Sequence, residues 1–175
     1  MLALLGTGLS VAVGVTFDWL TIHWIAGVVL TVAIVLHTVR AMFWQSLRSM
    51  WIAPREVAMV LSPEGKPGKY SLAQRAMHHT VTVFCLAAIV TGLLMLKKVD
   101  TPLIARDPYW LAAGTWGWIY VVHGLASLIF VTLIILHVYF ALRPEKLFYL
   151  RSMVYGWITR SELEANHDPR QWDGK

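Results

Sequence analysis

The chain has 175 residues, 57% of them hydrophobic and 14% charged, with a mean hydropathy of +0.58 and a formal net charge of +5. A water-soluble domain of this length cannot hide so much apolar surface, so the class is integral membrane protein. The basic residues form no Lys/Arg block, which argues against nucleic acid as a partner, and the nine tryptophans suit a membrane–water interface.

The first stretch, Met1 to Phe17, is apolar but short and carries Gly6, Gly8 and Gly14. It lacks the basic leader and small-residue cleavage site of a signal peptide. It reads as the second half of a membrane helix whose beginning is missing. Three charge-free stretches follow: residues 19–39 between Asp18 and Arg40, 76–96 between Arg75 and Lys97, and 108–142 between Asp107 and Arg143. Each is long enough for a hydrocarbon core of ~30 Å, which takes ~20 helical residues. The expectation is an all-α, integral membrane four-helix bundle with helices at about 1–16, 19–43, 73–96 and 117–142, the last starting after Gly114 and Gly117. Residues 1–142 form the bundle and 143–175 a C-terminal tail. The sequence shows no repeat and no low-complexity tract.

Loop charge orients the bundle. Arg40, Arg48, Arg55, Lys66, Lys69 and Arg75 separate the second and third spans, and Arg143, Lys146, Arg151, Arg160, Arg170 and Lys175 follow the fourth. Only Lys97, Lys98 and Arg106 lie between the third and fourth. The positive-inside rule therefore predicts a cytoplasmic second loop and a cytoplasmic C-terminus, in the inner membrane. Within that loop, Gln45 to Leu61 is amphipathic around Pro54 and reads as an interfacial helix. A turn-rich stretch from Ser62 to Gly68 comes next. In the tail, Ser161 is the expected cap of a short helix beginning Glu162-Leu163-Glu164.

The histidines carry the chemistry. His23 and His37 are fourteen residues apart, and so are His123 and His137. At ~100° and ~1.5 Å per residue, each pair shares one helix face and spans roughly 21 Å. The two helices run in the same direction, so His23 faces His123 near the outer surface and His37 faces His137 near the cytoplasmic one. An ionisable residue inside a membrane span is a functional candidate by default. Packing or hydrogen bonding is the plain alternative for any one of them, but four at matched spacing favour two bis-histidine sites. Two imidazoles without a carboxylate or thiolate suit six-coordinate haem iron better than zinc. Gly27 and Gly124 either let a flat macrocycle approach or serve helix–helix contact.

Other polar residues are more ambiguous. His78 and His79 lie about a turn into the third span. One of them replaces His37 as a ligand, serves a quinone pocket, or is a polar interface residue. Arg40 and Arg75 read first as positive-inside anchors and second as partners of haem propionates. His167 reads as structural or as a partner contact. Cys85 reads as a small core residue, since one cysteine forms neither an internal disulfide nor an iron–sulfur cluster.

The stretch Gly68-Lys69-Tyr70-Ser71-Leu72-Ala73-Gln74-Arg75, with Thr91-Gly92 ending the third span, resembles the cytochrome b (gamma) subunit of respiratory formate dehydrogenases. His123, Gly124, Ala126 and Leu136-His137-Val138-Tyr139 agree with it. So do Gly156-Trp157-Ile158-Thr159-Arg160 and Asn166-His167-Asp168-Pro169-Arg170-Gln171-Trp172. The likeness covers roughly the last two thirds of the chain and shades into cytochromes b of thiosulfate reductases and nickel–iron hydrogenases. In the second span it rests on His23 and Gly27.

The resemblance implies a four-helix bundle with two b-type haems. Such a subunit takes electrons from an iron–sulfur subunit on the outer face and reduces menaquinone near the cytoplasmic face. His23 and His123 correspond to outer-haem ligands and His137 to an inner-haem ligand. The family's remaining inner ligand is a His near the start of the first helix, and this chain has none before His23; His37 is the natural substitute. Its quinone motif reads Lys-Tyr-Asn-x-Gly-Gln, whereas Ser71 and Ala73 stand here for the Asn and Gly. These departures leave the quinone site retained in place, shifted, altered or lost; the candidates for quinone or haem-propionate binding are Ser71, Gln74, Arg75, His78, His79 and Arg40. The expected function is electron transfer between a peripheral iron–sulfur/molybdenum enzyme and a quinone, menaquinone or ubiquinone. The chain would be no catalyst alone but part of a hetero-oligomer, open to repetition in a larger assembly. Rival readings are a hydrogenase or thiosulfate-reductase partner, a cytochrome serving another haem protein, and a haem-free anchor or metal carrier.

Overall fold

The computed structural model describes residues 1–44, 50–52 and 66–171. Four helices carry the apolar stretches: α1 (Leu2–Ala12), α2 (Trp19–Trp44), α3 (Leu72–Met95) and α4 (Ala113–Ala141). Among the described residues there are no strands, and α2, α3 with its 3₁₀ extension to Lys98, and α4 are each long and apolar enough to cross a membrane. α1, at 11 residues, is too short to cross in the span seen. The expected interfacial helix over Gln45 to Leu61 and most of the turn after it lie outside the described residues, as does Trp172.

Helix is what a lipid environment demands, because a backbone donor or acceptor left unpaired in hydrocarbon costs several kcal/mol. Hydroxyl side chains obey the same constraint. Thr31 donates to Gly27 O at 2.8 Å, Thr38 to Ile34 O at 2.9 Å and Ser127 to His123 O at 3.0 Å, each one turn back along its own helix. α2 buries none of its residues, and Val29, Val32, Val35 and Leu36 stand exposed on it. In water such a face would be a liability; against lipid it is solvated.

The contacts divide the chain into two units. The first comprises Met1–Val39 and Val81–Thr132. Here α1 ends in a turn at Gly14, whose φ of +70° lies in the left-handed region glycine adopts without strain. Asp18 then opens α2 by accepting the Thr21 N–H at 3.3 Å. The buried apolar side chains include Cys85, Leu96, Trp116, Ile119, Ala126 and Phe130. α4 begins at Ala113, ahead of the expected 117, so Gly114 and Gly117 lie inside the helix. Glycine's penalty of ~1 kcal/mol is small beside closing the backbone's hydrogen bonds next to a membrane.

The second unit comprises Arg40–Thr80 and Leu133–Lys175. After α4 come α5 (Leu147–Tyr155) and α6 (Arg160–Asn166). Gly156, at φ +77°, closes α5 as a left-handed cap. α6 begins earlier than expected, and its cap is Thr159 rather than Ser161. Both Thr159-x-x-Glu162 and Ser161-x-x-Glu164 fit a capping box. The first is formed because Glu162 accepts from Thr159 N at 2.8 Å and also from Arg151 at 2.5 Å, while Arg160 takes Glu164 at 2.8 Å. Those donors, Thr159 foremost, hold the Glu162 carboxyl below the usual carboxylate range.

The tail folds back on the segment that leads into α3. His167, 1% exposed, bonds Gly68 O through Nδ1 at 2.6 Å and meets the Tyr149 hydroxyl through Nε2 at 2.5 Å. The carbonyl can only accept, so Nδ1 carries the hydrogen and Nε2 accepts from Tyr149. Burial pushes the Tyr149 hydroxyl up, which keeps it a donor. Asp168 N–H donates to Pro67 O at 2.9 Å, and Lys66 donates to Glu164 O at 2.6 Å. His167 is therefore structural, one of the two readings expected of it. His167→Ala strips partners from the buried Gly68 carbonyl, at about 1–3 kcal/mol, and from the half-buried Tyr149 hydroxyl, at less. Hydrogen exchange should then accelerate at residues 66–71 and 160–168, with Tyr149→Phe giving a smaller change in the same places.

Candidate functional site

His23 on α2 and His123 on α4 face one another in the first unit. Their ring centroids are 6.1 Å apart and the ring planes cross at 71°. Each Nδ1 has a threonine partner: Thr7 of α1 lies 2.8 Å from His23, and Thr91 of α3 lies 2.9 Å from His123. Both threonines are buried, at 6% and 7% exposure.

A glycine follows each threonine in sequence. A Cβ at Gly8 would stand 3.7 Å from His23 Cε1, an ordinary contact, and one at Gly92 would stand 3.3 Å from His123 Cε1, a tight one. The Thr-Gly step on one helix and the histidine on the next thus occur twice: Thr7-Gly8 with His23, and Thr91-Gly92 with His123. No repeat was expected from the sequence, because the recurrence is two residues long and registers only through the helices it faces. Thr7, Gly8 and Thr91 were missed as site residues for that reason.

The histidines line a cavity of about 650 Å³, in company with Gly8, Gly27, Gly92 and Gly124. Such a volume falls within the ~300–1,000 Å³ typical of ligand sites. Gly27 packs ordinarily, since its Cβ would meet Leu4 at 3.9 Å, whereas a Cβ at Gly124 would meet no protein atom within 4 Å. Helix contact therefore explains Gly27 but not Gly124. The lining is otherwise mainly apolar, and its one acidic or basic side chain is Lys98. Lys98 Nζ stands 4.7 Å from the ring centroid of Trp116, which is 3% exposed.

These residues fit an iron porphyrin. A metal held by two imidazole nitrogens at about 2.0–2.1 Å each puts the ring centroids roughly 6 Å apart, close to the spacing seen. Glycines flank the rings, the walls are mainly apolar, and Lys98 borders the cavity. Among the described residues no three or more His, Cys, Asp or Glu side chains come together as a metal site.

The remaining candidates lie elsewhere. His37 is exposed near the end of the first unit and His137 is exposed in the second. Ser71 and Gln74 bond one another: Gln74 Oε1 accepts from Ser71 N at 2.8 Å, and Ser71 Oγ accepts from Gln74 N at 3.3 Å. That is a capping box opening α3. Arg75 is buried and donates to Trp51 O at 2.8 Å. His79 Nε2 lies 2.9 Å from Met50 O, and the His78 ring contacts that of His79 edge-on at 5.7 Å. Arg40 is exposed near the end of α2.

Comparison with known proteins agrees with this geometry. The model of the family described as prokaryotic cytochrome b561 matches residues 1–156. No curated protein and no solved structure matches the chain. A match over nearly the whole chain, with two imidazoles facing across a glycine-lined membrane cavity, leads to one assignment: the chain belongs to the prokaryotic cytochrome b561 family and is a membrane cytochrome b.

Proposed function

We propose that this chain is the membrane-anchoring, di-haem electron-transfer subunit of a respiratory oxidoreductase complex, carrying electrons between a peripheral iron–sulfur subunit and the quinone pool. Membership of a cytochrome b family implies b-type haem. The observation that carries the reading is the pair His23 and His123, 6.1 Å apart across the apolar cavity. Bound haem supplies one-electron oxidation and reduction. The protein's part is to hold the iron from both sides, keep water out and balance charge. His23 and His123 would hold the iron of the outer haem. Gly92 and Gly124 leave room beside them, and Lys98 is placed to neutralise a propionate.

The inner haem is assigned to His37 and His137 on spacing: each lies fourteen residues further along the continuous helix that bears an outer ligand. The bundle then has four helices, with α1 the fourth, and a cytoplasmic C-terminus set by the basic loops. Quinone reduction takes place near the cytoplasmic end, around His78, His79, Arg75 and Arg40. Ser71 and Gln74 support this region through the cap they form rather than by touching the quinone. Electrons then move inward while protons are consumed inside.

The partner proposed is a formate dehydrogenase-like iron–sulfur/molybdenum enzyme, on the strength of the residues from Gly68 onward and of the tail. A nickel–iron hydrogenase is the second reading, because the label of the matched family model names that cytochrome.

Haem content per chain, measured by pyridine haemochrome on the purified complex, tests the assignment. Two haems are expected in the parent, and one each in His23→Ala, His123→Ala and His37→Ala. Two haems retained in His37→Ala would move the inner ligand to His78, His79 or another residue, and no haem in the parent would end the reading. The glycines give a second measurement. Gly92→Ala crowds His123 and should reduce haem occupancy, while Gly8→Ala makes only an ordinary contact and should leave occupancy at the parent level.

A further inference from the structure

Thr7 and Thr91 decide which nitrogen of each histidine is left for a metal. A threonine hydroxyl has one proton to give. In Thr7 it points back along α1, with Oγ1 2.7 Å from Ala3 O and 3.2 Å from Leu4 O. In Thr91 it points back along α3, with Oγ1 2.6 Å from Ala87 O and 3.2 Å from Ala88 O. Those carbonyls can only accept, so each hydroxyl proton is committed to the backbone. Towards the histidine the threonine oxygen is then an acceptor, and Nδ1 must carry the hydrogen that meets it. A neutral imidazole protonated at Nδ1 has its lone pair on Nε2. Both rings are thereby fixed in the same tautomer, by the same device, from two different helices.

We propose that Thr7 and Thr91 are paired positioning residues: by accepting the Nδ1–H of His23 and of His123, they aim both Nε2 lone pairs at one iron and lower that haem's reduction potential. The inference rests on the ligand assignment above. Its physical basis is general. A hydrogen bond from the far nitrogen fixes ring orientation and makes the ligating nitrogen more basic. A more basic ligand favours the oxidised, more positive iron. Threonine suits the task inside a membrane because its own proton is already satisfied by the helix, so it accepts without leaving a donor unpaired. At His123 the glycine after the threonine, Gly92, lets the ring come close.

The test uses the purified complex and reads the two haem midpoint potentials by redox titration, together with haem retention against a competing apo-haem-binding protein. Thr91→Val and Thr7→Val should each raise the same one of the two potentials and weaken retention of that haem about 10- to 100-fold, the usual loss when an outer partner of a metal ligand is removed. Thr91→Ser and Thr7→Ser restore the acceptor and should restore both values. Thr91→Ala and Thr7→Ala lose the oxygen without the branched methyl and carry the expectation of the valine variants should those not assemble. Parent potentials and retention in any assembled variant lacking the oxygen would overturn the proposal, as would serine variants that fail to restore them. The ligand assignment fails differently: it is overturned when His23→Ala or His123→Ala keeps both haems.

Discussion

The approach of His23 to His123 is the contact on which the rest of the first unit depends. Two polar rings inside a hydrocarbon layer are expensive unless their nitrogens are used. The threonines use one nitrogen of each ring, at 2.8 and 2.9 Å. The other nitrogen needs a partner that no described carboxylate, thiolate or hydroxyl at the site supplies. On the reading proposed above, an iron held by both histidines would answer that need. The surrounding features follow from it: glycines that let the rings lie close to their neighbouring helices, an apolar wall that keeps the local dielectric low, and a single lysine among the lining side chains.

The same economy governs α1. By itself this helix is short, and most of its surface is exposed apolar side chain. Its polar residues nevertheless face inward. Thr7 and Ser10 are its buried residues, with Ser10 donating to Thr7 O at 2.6 Å. A helix that buries its hydroxyls and exposes Leu2, Leu9 and Val11 is inside-out by the standards of water and ordinary by those of lipid. The burial pattern of α1 therefore supports the membrane assignment independently of the long spans.

Legibility in the sequence followed the physics of each signal. The histidine pairs stood out because an ionisable residue in an apolar run is costly, and because a fourteen-residue spacing survives helical geometry without further information. The histidine contacts of Thr7 and Thr91 are not legible, although Thr91-Gly92 belongs to the resemblance, because a threonine in a membrane helix has a sufficient local explanation in bonding its own backbone, as Thr31 and Thr38 do. What separates Thr91 from Thr38 is the helix opposite, and sequence alone carries no such neighbour. The tail failed for a different reason. Thr159 and Ser161 offer two capping frames two residues apart, and Arg151, from a separate helix, tips the choice through Glu162. Gln74 was read towards a quinone from resemblance, although Ser-x-x-Gln is equally the signature of a helix start.

A shared motif does not say whether its residues were kept for chemistry or for construction, and this fold separates the two along one stretch. Gly68 gives its carbonyl to His167, Pro67 gives its carbonyl to Asp168, and Ser71 with Gln74 starts α3. Two pieces of the resemblance that lie about a hundred residues apart, Gly68 to Arg75 and Asn166 to Arg170, are thus the two sides of one latch. Their joint presence is what a folding constraint produces, since neither side is satisfied without the other. The latch does not engage His123 or His137, the residues to which the proposed function gives the haem iron. The loop from Lys97 to Trp116, which reaches the cavity at Lys98 and Val99, stands apart from that latch. There Asp107 N–H bonds Lys97 O at 2.9 Å, Lys97 approaches the Trp110 ring at 5.9 Å, and Tyr109 stands 91% exposed. Aromatic and basic side chains thus gather next to Lys98, the lysine that lines the cavity and sits over the Trp116 ring.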